Sequence, residues 1–97
     1  MTGAITLRPE VQRFAELMEV KLRENDHKGG WDECGNGYLK RRMRTELREL
    51  FAAVDAVVKC PEGNPKRTDL MARVIAEAAD VGNFAMMMAD NNALLVD

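Results

Sequence analysis

Apolar residues recur at three- and four-residue steps in three separate stretches of this chain, and glycine or proline punctuates the intervals between them. Val11, Phe14, Ala15, Met18 and Leu22 form the first stripe. Leu39, Met43, Leu47, Leu50, Val54 and Val57 form the second, and Leu70, Val74, Ala78, Val81, Ala85 and Met88 the third. Such spacing gathers each set on one side of a helix, whereas in a strand it would be divided between two faces. Helix formers (Ala, Leu, Met, Glu, Arg, Lys) dominate the rest, and aromatics make up only 5%. Few β-branched runs compete with them. At 97 residues the chain is long enough for one core with little surplus. The expectation is a single all-α domain, an antiparallel bundle of three main helices.

The boundaries follow from local chemistry. Pro9 suits a first helical turn, where its missing N–H costs nothing. Asn25, Asp26 and the Gly29-Gly30 pair end that helix and open a loop to about Gly37. Asn36 is the expected N-cap of a second helix over residues 38–59, roughly 30 Å long. Pro61, Gly63 and Pro65 break it, and Thr68 or Asp69 is expected to cap a third helix reaching Asn91 or Asn92. Residues 1–8 and 94–97 are expected to trail. Phe84 to Ala89 is apolar nearly all round. A helix apolar on every side is buried on every side, which three short helices do not easily achieve. That segment therefore predicts a homo-oligomer, dimer or tetramer, with its interface there.

A net charge of -2 argues against a general nucleic-acid binder, despite the basic run Lys40, Arg41, Arg42, Arg44 and Arg48. Taken alone, that run is a solvated helix face. Two cysteines, Cys34 and Cys60, are too few for a disulfide scaffold, and no CxxC pair suggests zinc. Two reduced thiols are the plainer account. No segment reaches membrane-spanning length and the first eight residues lack a signal-peptide core, so the expectation is a cytoplasmic, soluble protein with no membrane partner.

Chemistry concentrates in the acidic residues. Glu46 and Glu49 lie three apart on the second helix and share a face; Glu77 and Asp80 repeat that spacing on the third. Each pair stands at the side of its helix's apolar stripe, and antiparallel packing lets both border one cleft. A close carboxylate pair repels by about 1 kcal/mol in water and roughly 4 kcal/mol near a protein surface. Four together call for arginines or a cation, and oxygen-only ligands suit Mg²⁺ or Mn²⁺. One ExxE in a chain that is 31% charged usually means solvated surface. Glu77 and Asp80 carry more weight, because they interrupt the least polar helix of the chain.

The two motifs in register, Glu46-Leu-Arg-Glu49 and Glu77-Ala-Ala-Asp80, resemble the signature of the MazG-like all-α NTP pyrophosphatases. His27-Lys-Gly-Gly-Trp31 and Asn83-Phe-Ala-Met86 resemble the short single-domain members, and the likeness spans roughly Phe14 to Asn91. The resemblance implies cleavage of a (d)NTP between its α and β phosphates by a dimer or tetramer. It implies Mg²⁺ held by Glu46, Glu49, Glu77 and Asp80, with Glu46 or Glu49 activating water. Lys28 and Arg48 are candidates for phosphate, Trp31 for the base, and Asn83 for the sugar or a metal-site water. Each has a plainer reading: Trp31 as a packing anchor, Asn83 as a bundle hydrogen bond, Arg48 as a surface ion pair. The rival functions are a catalytically silent helical interaction module, a DNA-associated regulator, and a hydrolase of non-nucleotide pyrophosphates.

Overall fold

The structure is a computed structural model that describes residues 4–96, with side chains placed through residue 93. It contains α1 (Pro9–Glu24), a single 3-10 turn (Asp26–Lys28), α2 (Asn36–Lys59) and α3 (Arg67–Val96). Among the described residues there is no strand, and no helix is long and apolar enough to cross a membrane. The all-helical expectation holds.

α2 and α3 form an antiparallel hairpin pinned at both ends. At the turn, the Arg67 guanidinium donates from Nη1 to the carbonyls of Val57, at 3.1 Å, and Cys60, at 2.7 Å. It thereby supplies a donor to carbonyls at the end of α2, where the helical ladder runs out of N–H partners. Gly63 takes a φ of 82° in this turn, a conformation that suits a residue without Cβ. At the far end the amides of Asn36 and Asn92 exchange two hydrogen bonds, 3.2 and 2.8 Å long.

These contacts correct several expected boundaries. Asn36 is the first residue of α2 rather than its N-cap; Gly35 holds the cap position without a side-chain bond. α3 opens at Arg67, before Thr68 and Asp69, where Asn64 Oδ1 accepts the Lys66 N–H at 2.9 Å. It also continues past Asn92 to Val96, so residues 94–96 are helical rather than trailing. The expectation of trailing ends at residues 1–3 and 97 lies outside the described residues.

α1 lies across the middle of α3, meeting it at Asp80, Gly82 and Asn83, and no residue of α1 is fully buried. The two pack tightly at Gly82, where an added Cβ would stand 2.9 Å from Cε2 of Phe14. Met18 and Leu22 are half-buried, whereas Val11 and Phe14, from the same stripe, keep 45% and 38% of their exposure. The most enclosed line of α2 runs through Leu39, Glu46 and Ala53, seven residues apart, and that of α3 through Ala79 and Asn83. Alanines at two of these places let the helices approach closely. The line also shows where the polar residues have gone: Glu46 lies within it, not at the margin the hydropathy pattern gave it.

Cys34 and Cys60 are free thiols. They flank the two ends of a 24-residue helix, about 36 Å of rise, far beyond disulfide reach.

Candidate metal centre

The α2–α3 hairpin brings the two acidic motifs together. Carboxylate oxygens of Glu46, Glu77 and Asp80 all lie within 4.8 Å of one another. Glu49, more exposed, stands close enough to Glu46 and Glu77 for its charge to raise the pKa of both. Three residues of the expected set therefore meet, and Glu49 stands beside them without joining the group.

The cluster is electrostatically loaded. Glu46 retains only 8% of its exposure, and its pKa is pushed up to about 7. Loss of hydration is the main cause, followed by hydrogen bonding to Glu49 and the negative charges of Glu49 and Asp80; Arg42 opposes them. Glu77 is also raised, first by burial and then by Glu49 and Asp80, with Arg73 opposing. Its Oε2 is buried without a hydrogen-bond partner. A buried carboxylate oxygen left unpaired is costly, and a cation or a proton relieves it.

Among the described residues, two cations of the chain form ion pairs with this cluster. Lys21 Nζ stands 3.3 Å from Asp80 Oδ1, carried by α1. Arg42 Nη2 donates to Glu46 Oε1 at 3.4 Å, and its guanidinium lies 5.5 Å over the Phe84 ring. Neither was singled out as a site residue from the sequence. Lys21 nevertheless left a signal: it falls seven residues after Phe14 and three after Met18, on the inward side of its helix.

Glu46 and Asp80 form part of the wall of a cleft of about 400 Å³, a size suited to a small organic ligand. Lys21, Lys28 and Arg42 supply positive charge to its lining, and Trp31, Phe84 and Met87 supply apolar surface. Lys28 and Trp31 arrive from the loop after α1, which α3 holds in place. Trp31 Nε1 donates to Asp90 Oδ2 at 3.0 Å, and Asn91 Nδ2 donates to the carbonyls of Trp31, at 2.8 Å, and Cys34, at 3.1 Å. These partners, some sixty positions apart in the chain, had no local signature.

Asn83 also lines the cleft. Its Nδ2 donates to the Met18 carbonyl at 3.1 Å, tying α3 to α1, while its Oδ1 is buried without a partner. It thus makes the bundle contact and still carries one free acceptor. Arg48, in contrast, is exposed and does not line the cleft; Arg42 occupies the place expected of it.

The donor set tests well against a hard divalent cation. All donors are oxygens, the ligands octahedral Mg²⁺ prefers, and they lie within 4.8 Å of one another. No protein-family model, curated protein or solved structure matches this chain.

Proposed function

We propose that this chain is a Mg²⁺-dependent nucleoside triphosphate pyrophosphohydrolase of the MazG-like kind, active as a homo-oligomer in the cytoplasm, with Mn²⁺ able to substitute. The observation that carries the reading is the convergence of Glu46, Glu77 and Asp80 from two helices, with a buried, unpartnered Glu77 oxygen among them. The cleft beside them mixes cations with an aromatic wall, which suits a triphosphate attached to a base. The net charge of -2 favours a mononucleotide over a nucleic-acid polymer as partner.

In this reading Glu46, Glu77 and Asp80 hold the cation, with Glu49 completing the set from the margin. A bound Mg²⁺ would supply neutralisation of phosphate charge and activation of water. Lys21, Lys28 and Arg42 meet the remaining phosphate charge. Glu46 or its neighbour Glu49 takes the proton as water adds to the α phosphorus. The bond to the bridging oxygen breaks and pyrophosphate departs. Trp31 offers a face to the base, held by the Asp90 hydrogen bond.

Incubation of the full chain with a panel of NTPs and dNTPs in Mg²⁺, followed by ³¹P NMR, tests the reading. Monophosphate and pyrophosphate are expected, and none after chelation. Glu77→Gln and Asp80→Asn are expected to abolish turnover while helical content stays near normal. Inorganic phosphate as product, or no product from any nucleotide, would overturn it.

A second reading has its own support. Lys21 and Arg42 already pair with Asp80 and Glu46, as the charges of a polar core would in a catalytically silent helical module. Glu77 separates the two readings, because it forms no ion pair among the described residues.

A further inference from the structure

We propose that Asn83 selects the substrate by its sugar: its side-chain oxygen accepts a hydrogen bond from the 3′-hydroxyl of a bound nucleotide. The proposal rests on the nucleotide-binding part of the reading above. Asn83 keeps only 5% of its exposure and lies in the wall of the cleft. Its amide offers donor hydrogens on nitrogen and an acceptor oxygen. The Met18 carbonyl, 3.1 Å from Nδ2, accepts only, so it fixes which end of the amide is which. Oδ1 is the end left over, buried and without a partner among the described residues. Lys21 and Arg42, which share the cleft wall, are paired with Asp80 and Glu46 instead. An enclosed acceptor of this kind is costly until a donor reaches it.

Position along α3 says which donor. Asp80, Asn83, Phe84 and Met87 stand at i, i+3, i+4 and i+7, so they share one face, and all four line the cleft. At about 1.5 Å of rise per residue, Asn83 lies roughly 4.5 Å beyond Asp80 and Met87 roughly 10.5 Å beyond it. Trp31 follows, held by Asp90. From the acidic end the order is therefore carboxylate, amide, apolar wall. A nucleotide has a matching order of phosphate, sugar and base. With its phosphates at the cation and its base against Phe84, Met87 and Trp31, the sugar comes level with Asn83. Ribose and deoxyribose share one free hydroxyl, at the 3′ position, and it is the one nearer the phosphate-bearing carbon. The substrates are then ribo- and deoxyribonucleotides alike, provided that a donor stands at that position.

The test is kcat/KM for the full chain with Mg²⁺ and a nucleotide series that differs only at the 3′ position. The 3′-hydroxyl and 3′-amino compounds, which donate, are expected to agree within about fivefold, and the 3′-deoxy and 3′-fluoro compounds to be used about ten- to thirtyfold less well. In Asn83→Leu the preference is expected to shrink to about twofold or less, whatever happens to the overall rate, because disturbed packing slows every compound alike. Should that variant fail to fold, the wild-type series decides alone.

Binding of α,β-methylene analogues, followed by the emission of Trp31, the sole tryptophan, repeats the series without turnover. A 3′ preference in binding with no hydrolysis supports the proposal and overturns only the hydrolase reading. Hydrolysis with equal use of the hydroxyl and deoxy compounds overturns the proposal and leaves that reading intact. Weakened Mn²⁺ uptake by Asn83→Leu, with no 3′ preference in the wild type, gives the acceptor to a metal-bound water and likewise overturns it. No binding of any nucleotide overturns both.

Discussion

The ammonium of Lys21 stands 3.3 Å from the carboxylate of Asp80, so the first helix reaches the acidic cluster with a charge of opposite sign. That charge competes with any divalent cation the cluster holds. Lys21→Met is therefore expected to tighten Mg²⁺ or Mn²⁺ binding by about three- to tenfold, the size of one unit charge removed at short range in a wet site. Isothermal titration of the nucleotide-free protein checks it. In the hydrolase reading the same variant binds triphosphate more weakly, because a phosphate partner is lost.

The raised pKa of Glu46 makes apo stability depend on pH. A carboxyl near 4.5 when unfolded and about 7 when folded binds its proton more tightly in the native state. Folding is then unpenalised below the unfolded value; the cost grows as pH rises through 4.5 to 7 and is complete above 7. The span corresponds to a cost on the order of 3 kcal/mol. Urea unfolding without cations is expected to show this loss, and Glu46→Gln to remove most of it. The same variant is expected to be more stable than wild type above pH 7 and to lose cation binding.

Arg67 locks the hairpin turn by donating to two carbonyls at the end of α2. Arg67→Met is expected to cost about 1.5–3 kcal/mol, the range for hydrogen bonds to a charged group. Because the turn lies away from the acidic cluster, cation affinity should stay within about twofold of wild type. Chemical denaturation and cation titration on one sample separate the two effects.

Trp31 is the sole tryptophan, and its indole N–H is held by Asp90 at the cleft wall. If a base stacks on it, Trp31→Ala should raise KM by about tenfold or more, in line with a stacking contribution of roughly 1–3 kcal/mol, while kcat changes little. Inorganic triphosphate, which has no base, should bind wild type and variant alike. Asp90→Ala is expected to move KM in the same direction by less.

Much of this architecture was legible in the residues. Three helical stripes, their breaks at Gly29-Gly30 and Pro61 to Pro65, and the antiparallel return of α3 all follow from period and turn chemistry. The meeting of Glu46 with Glu77 and Asp80 follows from that return plus a three-residue spacing. Hydropathy periodicity left two enclosed positions out of the inner faces because it assigns glutamate and asparagine to the surface. Here Glu46 and Asn83 occupy enclosed positions, and alanines at 53 and 79 fill the rest of the line. Long-range polar contacts were out of reach for a different reason. Nothing local to Trp31 or Arg67 announces Asp90 or the end of α2, since those pairings exist only after the chain has folded.

Manganese titration followed by electron paramagnetic resonance tests the shared carboxylate site most directly, because free Mn²⁺ gives a strong six-line signal that binding diminishes. Wild-type protein above pH 7 is expected to remove that signal saturably, with Mg²⁺ restoring it by competition. Glu46→Gln, Glu77→Gln and Asp80→Asn are each expected to weaken uptake at least tenfold. Uptake unchanged in the Glu77 variant, or absent from the wild type, would contradict a cation site built jointly by α2 and α3.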